Sequence, residues 1–277
     1  MKNYTAALAI GIAMIAMSSF AGTGKSFKEE ITIVEEPIQW WNANLSTGWD
    51  SLYMFRGVNV LRNGKSYGSS IYWTDLSVQF NLTKNDSLTI GSWLGFGVDD
   101  TDYKEYDASV SYTHTFGSLS LSLGYTFYYI FSNPSNAFSH ELNVGAAYEF
   151  DLGFMSLTPG INYYFNIGPD INNKGFAKEA SSYLEIRLDG NVPIYKEILA
   201  AAPWISFGTN FRYNTDSSGN PFHGTNNLEF GLSLPIQVNK FISVSPYVAY
   251  SLVISPNGLL DTRRNTVWSG GSVNFSF

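Results

Sequence analysis

The residues whose types could do hydrolytic chemistry are three histidines and the serines and acids near them. A serine nucleophile needs an imidazole held against its hydroxyl, and an aspartate–histidine site needs both groups on neighbouring elements. Ser139 adjoins His140, and His223 follows Asp216 at short range. Adjacent residues of a strand point to opposite faces, so Ser139 and His140 do not converge on an extended segment. His114 and His140 both fall in the apolar phase of their segments. The run GTGKS at 22–26 lacks the earlier glycine of a phosphate-cradling loop, because Ser19 stands five residues before Gly24. Asp99, Asp100 and Asp102 lack the ligand spacing of a calcium loop and read as a solvated acidic turn. Cysteine is absent, which excludes disulfides, thiolate metal sites and cysteine nucleophiles. The chain reads as a non-enzyme without metal or cofactor.

What remains is electrostatic chemistry. Asp75, Glu105, Asp107, Glu141, Glu149, Glu185 and Glu229 share the polar phase of alternating segments with Arg187 and Arg212, and with Arg56 if its segment has the same phase. An enclosed surface with that excess of acid attracts cations and disfavours anions. The formal net charge of −7 argues against a nucleic-acid partner, which would require a basic stripe. Trp73, Trp93, Tyr128, Trp204 and Trp268 lie in the same polar phase. They either line a path for a sugar or nucleoside or pack the interior.

The elements that must position these groups are strands. Aromatics make up 16% of the chain and charged residues only 14%, where a soluble domain carries about 25%. In LSLSLGYTFYYIF (119–131), Leu119, Leu121, Leu123, Tyr125, Phe127, Tyr129 and Phe131 face one way, while Ser120, Ser122, Gly124, Thr126 and Tyr128 face the other. The apolar face is long and aromatic, as a lipid-facing one is. The same rule gives twelve strands over 48–61, 67–82, 86–98, 104–116, 118–131, 138–151, 156–167, 177–190, 203–213, 223–237, 240–254 and 265–277. An even number suits an all-β, single-chain antiparallel transmembrane β-barrel. Compact links alternate with longer ones rich in Gly, Pro, Asn and Asp, so both termini fall on the periplasmic side. Links 62–66 and 99–103 are short for outer loops, and 191–202 is long for an inner turn.

Three regions follow. Residues 1–21 have Lys2, an apolar run and small residues before Gly22, the pattern of a secretory signal peptide. Residues 22–47 form a periplasmic lead or small plug, and residues 48–277 form the barrel. The barrel ends in SVNFSF, with Val273, Phe275 and Phe277 on one face. That ending resembles the signal read by the barrel-assembly machinery.

Phe55–Arg56–Gly57, followed by a short glycine-containing loop and strands dense in glycine–aromatic pairs, resembles the TorF-type outer-membrane porins and more loosely the MipA/OmpV barrels. The resemblance implies an outer-membrane barrel of transport type and brings no catalytic residues. Expected partners are outer-membrane lipids, lipopolysaccharide, the assembly machinery and small hydrophilic solutes. Three functions remain in view: passive diffusion with a cation bias, a closed scaffold that binds periplasmic or surface partners, and a transporter selective for nucleosides or sugars.

Overall fold

The alternation closes into a barrel in the computed structural model, which describes residues 39–62, 69–99, 102–131, 136–167, 181–215, 220–254 and 265–277. Its twelve wall strands are β1 (Trp41–Asp50), β2 (Ile71–Asn81), β3 (Asp86–Gly97), β4 (Lys104–Phe116), β5 (Leu119–Phe131) and β6 (Ala137–Tyr148), followed by β7 (Ser156–Asn166), β8 (Ser181–Tyr195), β9 (Leu199–Thr215), β10 (Pro221–Ser233), β11 (Ile242–Val253) and β12 (Thr266–Ser276). Each pairs antiparallel with its sequence neighbours. β12 returns to β1 with Phe275 opposite Leu45 and Val273 opposite Thr47. Closure removes every sheet edge, as strands in hydrocarbon require.

The exterior is apolar and the interior polar. Leu76, Ile90, Leu123, Val144, Ile161, Ile186, Val248 and Val267 are exposed on the outside, while Ser46, Ser122, Asn162, Asn210, Ser251 and Asn274 are buried within. An apolar surface that continuous is a lipid-facing surface. Exposed aromatics cluster towards both rims. Trp40, Trp41, Phe116, Tyr148, Phe150 and Phe241 lie at the end with the short turns, and Tyr72, Phe96, Phe131, Phe138 and Phe165 lie at the loop end. These are the two girdles that seat rings in the headgroup layers. Among the described residues no helix is long and apolar enough to cross a membrane. The strands do the crossing.

The first strand departs from expectation. It runs over Trp41–Asp50 rather than 48–61, and residues 51–62 leave the wall. Trp41, Leu45 and Trp49 do alternate with Asn42, Asn44, Ser46 and Gly48, but small Ala43 and Thr47 dilute their apolar face. The richer apolar run that follows is an interior segment. Of the expected lead 22–47, residues 22–38 lie outside the described residues, as do the 1–21 leader and GTGKS; from Trp41 the chain is barrel wall. Two irregular links also resolve. The first link lengthens, because β1 ends at Asp50 and β2 begins at Ile71, and β8 and β9 extend through 191–202 to meet at a turn over 196–198.

Candidate functional site in the lumen

From Asp50 the chain turns into the barrel. Met54–Phe55 and Val58–Asn59 pair as a hairpin with Phe55 opposite Val58, leaving Arg56 and Gly57 as its two-residue tip. Both have positive φ, 50° and 78°, as the twist-matched hairpin turn demands. A Cβ on Gly57 would also press on the side-chain amide of Asn227, which would have to turn aside. The neighbouring Asn226 donates its amide to the Arg56 carbonyl at 2.9 Å. The Phe55–Arg56–Gly57 signature is thus the tip of an inward hairpin, not part of the first strand.

The hairpin's root sits on a small apolar core of Leu61, Ile71 and Tyr103, flanked by Tyr53, Val60, Trp73, Trp93 and Ile130. Tyr53 stacks on Trp93 with centroids 5.6 Å apart, and its hydroxyl donates to Glu105 at 2.8 Å. Tyr103 donates to the same oxygen. Burial, followed by the Glu105 charge, pushes both phenols well above their usual range, so they remain donors.

At the tip, Arg56 forms a fork on Glu141. One amino group donates to Oε1 at 2.7 Å and the other to Oε2. Glu141 also accepts from Tyr128 at 3.0 Å and Tyr213 at 2.8 Å. The guanidinium carbon lies 3.8 Å from the ring centre of Tyr164, 4.5 Å from Tyr213, 4.7 Å from Phe55 and 5.5 Å from Tyr183. Side-chain exposures are 9% for Arg56 and 2% for Glu141. Two charges this deep persist because the fork, the phenols and the ring faces together offset their lost hydration.

Tyr213 reaches this cluster through a bulge. Alternation from Phe211 places it on lipid, yet it is 2% exposed and inside. Arg212 has a positive φ of 66°, and the β8–β9 register shifts beside it, which inverts the phase beyond. Arg212, expected in the lumen phase, carries the bulge itself.

Beneath the hairpin is a cavity of about 520 Å³. Its lining includes Asp50, Asp75, Asp107, Glu141 and Glu185, with Arg56 and the rings of Trp73, Trp93, Tyr128 and Tyr164. Asp75 faces Trp93 across one ladder, and Trp93 faces Asp107 across the next. One oxygen of Asp107 is buried without a hydrogen-bond partner among the described residues. Trp73 donates to Asp50 at 3.0 Å. Inward rings use glycines of the adjacent strand as seats: a Cβ on Gly48 would meet Trp73 at 2.5 Å, and one on Gly231 would meet Trp204 at 1.9 Å.

On the opposite wall Arg187 pairs with Asp189 at 2.8 Å and lies 5.4 Å from the Trp204 ring centre, while Trp204 donates to Glu229 at 3.1 Å. Trp268 is 6% exposed inside β12. Glu149 is half-buried near the turns, where burial and then the Asp151 charge push its carboxyl upward. Val273 and Phe275 face outward, and Phe277 exchanges backbone hydrogen bonds with Ala43 of β1.

Ser139 and His140 do not form a hydrolytic pair. Ser139 is buried towards the interior, whereas His140 faces outward with its Nδ1 2.6 Å from the Tyr125 hydroxyl. His114 pairs with Asp86 at the turn end, and His223 is exposed; Asp216 and Asp100 lie outside the described residues. Asp99 accepts from Ser70 at 2.7 Å. Among the described residues no group of three acids and histidines is placed to hold a metal. Sequence reasoning placed Asn227 in the lumen and missed Tyr53, Tyr103, Asp50 and Asn226 as interior partners. The glycine after Arg56 was the available signal for a turn there.

No known family model matches the chain, and no curated protein matches it. Solved structures do. An outer-membrane channel of Pseudomonas putida F1 is 12% identical with a TM-score of 0.56, over 87% of this chain and 99% of that one. LpxR from Salmonella typhimurium is 8% identical with a TM-score of 0.49, over 84% and 99%. The NanC porin is 10% identical with a TM-score of 0.48, over 85% and 98%. At these identities the likeness is one of fold, and it is carried by the first. The chain is a closed, twelve-stranded, transmembrane β-barrel of the outer-membrane type.

Proposed function

We propose that this barrel is a passive channel for small hydrophilic solutes with a preference for cations. The observation that carries the reading is the lining of the 520 Å³ cavity, where five carboxylates meet one guanidinium already engaged by Glu141. Unspent negative potential in a narrow space favours cations and repels anions. Asp75, Asp107 and Glu185 are the residues to which we assign selectivity. Glu105 and Glu141 instead hold the hairpin. Reconstituted vesicles loaded with small charged solutes test the reading: faster release of the cation than of an anion of equal size supports it, and release no faster than from empty vesicles sinks it.

A closed scaffold is the second reading, favoured by the hairpin that occupies the loop end. A sugar or nucleoside path has weaker support, because Trp73 and Trp204 lie on glycine seats rather than standing free. The Phe55–Arg56–Gly57 tip supports placing the chain beside the TorF-type porins.

A further inference from the structure

The Arg56–Glu141 pair is not made between two wall strands. Apart from the Phe55 ring beside it on the hairpin, the groups that receive Arg56 stand on the wall: Tyr128 on β5, Glu141 on β6, Tyr164 on β7, Tyr183 on β8 and Tyr213 on β9. Two phenols orient the carboxylate so that both oxygens meet a planar fork, and the ring faces of Tyr164 and Tyr213 lie 3.8 and 4.5 Å from its centre. A carboxylate set among aromatic faces is the chemistry that recognises guanidinium, and a compact ammonium satisfies it less well.

None of these wall contacts needs the cation to belong to the chain. The hairpin backbone has its own anchors, Asn226 on the Arg56 carbonyl and Asn227 against Gly57. The site also borders the acidic cavity, whose lining shares Arg56, Glu141, Tyr128 and Tyr164. A dissolved cation drawn into the cavity therefore reaches the pocket's edge. We propose that the wall pocket is a guanidinium-binding site, that Arg56 is its tethered occupant, and that solutes bearing a guanidinium group displace Arg56 and release the hairpin tip from the loop end. A short tether holds its ligand at an effective concentration of roughly millimolar order, so free solute must reach that range to compete. The binding half stands alone, and the gating half rests on the channel reading.

The test uses the full barrel carrying Arg56→Ala, titrated with guanidinium chloride against sodium chloride at equal ionic strength and against urea, a neutral isostere. Melting of the assembled barrel and conductance in planar bilayers are read together. Arg56→Ala should melt below wild type, and millimolar guanidinium should restore most of the loss while sodium and urea do not. Its conductance should exceed wild type several-fold with or without guanidinium, and the conductance of wild type should rise with guanidinium but not with sodium or urea. Equal responses to all three additives overturn the binding site. Restored melting with no conductance in either protein keeps the site and overturns the gate together with the channel reading. Increased conductance in Arg56→Ala, with no melting response to guanidinium and no rise in wild-type conductance, overturns the site and keeps the channel. Should Arg56→Ala fail to assemble, Arg56→Lys supplies the second arm: guanidinium should raise its conductance at lower concentration than wild type requires, and equal concentrations overturn the proposal.

Discussion

At the scale of residues, the interior is held by a few saturated groups. Glu141 meets Arg56, Tyr128 and Tyr213 at once, and its side chain is 2% exposed. Removing one member of a buried pair leaves the other charge uncompensated. Glu141→Ala should therefore lower the barrel's unfolding free energy by about 3–5 kcal/mol, read from its denaturant midpoint. Gly57 is held to glycine by its φ of 78°, and a side chain there would also push the Asn227 amide aside. Gly57→Val should displace the hairpin, separating Tyr53 from Trp93 and shifting tryptophan emission, whereas an unchanged spectrum would show that the seat tolerates a side chain. Glu141 was legible as an inward acid from its phase alone. Its partner Tyr213 was not, because the bulge at Arg212 breaks the alternation by which inward residues are read.

At the scale of elements, the two faces of one strand make opposite demands. Val144, near the middle of β6 and 50% exposed, should resist charge: Val144→Arg is expected to cost about 2–4 kcal/mol near the bilayer midplane. Asn143→Ser, on the cavity side of the same strand, should leave folding near wild type and alter conductance instead. Heat-modified gel mobility separates the two effects. β4, β5 and β7 were legible almost to the residue because period two runs through them without a register shift, as Leu119 to Phe131 illustrates. β1 was misplaced because Ala43 and Thr47 dilute its outward face while Tyr53, Phe55 and Leu61, which share one phase, imitate one. Period two reports an alternation of environments and does not distinguish a wall strand from a hairpin inside it. The terminal strand was legible, and its closure onto Ala43 gives the expected tail a mechanical role. Deleting Phe277 should reduce assembled barrel in membrane fractions more than it changes selectivity, and undiminished assembly would count against that role.

At the scale of the whole molecule, the barrel exchanges the usual positions of apolar and polar residues. Lipid replaces the hydrophobic core, and the enclosed space gathers the acids. The hairpin of residues 51–62 then divides that space, with a compact cluster at the loop end and the acidic cavity beneath. In the proposed channel this cavity selects by charge, with Asp75 and Asp107 flanking Trp93 as its principal determinants. Reversal potential under a potassium chloride gradient measures it most directly. Wild type should reverse on the cation-selective side, and Asp75→Asn with Asp107→Asn should move the potential towards zero without loss of assembled barrel; an anion-selective wild type, or a double variant indistinguishable from it, would contradict the account.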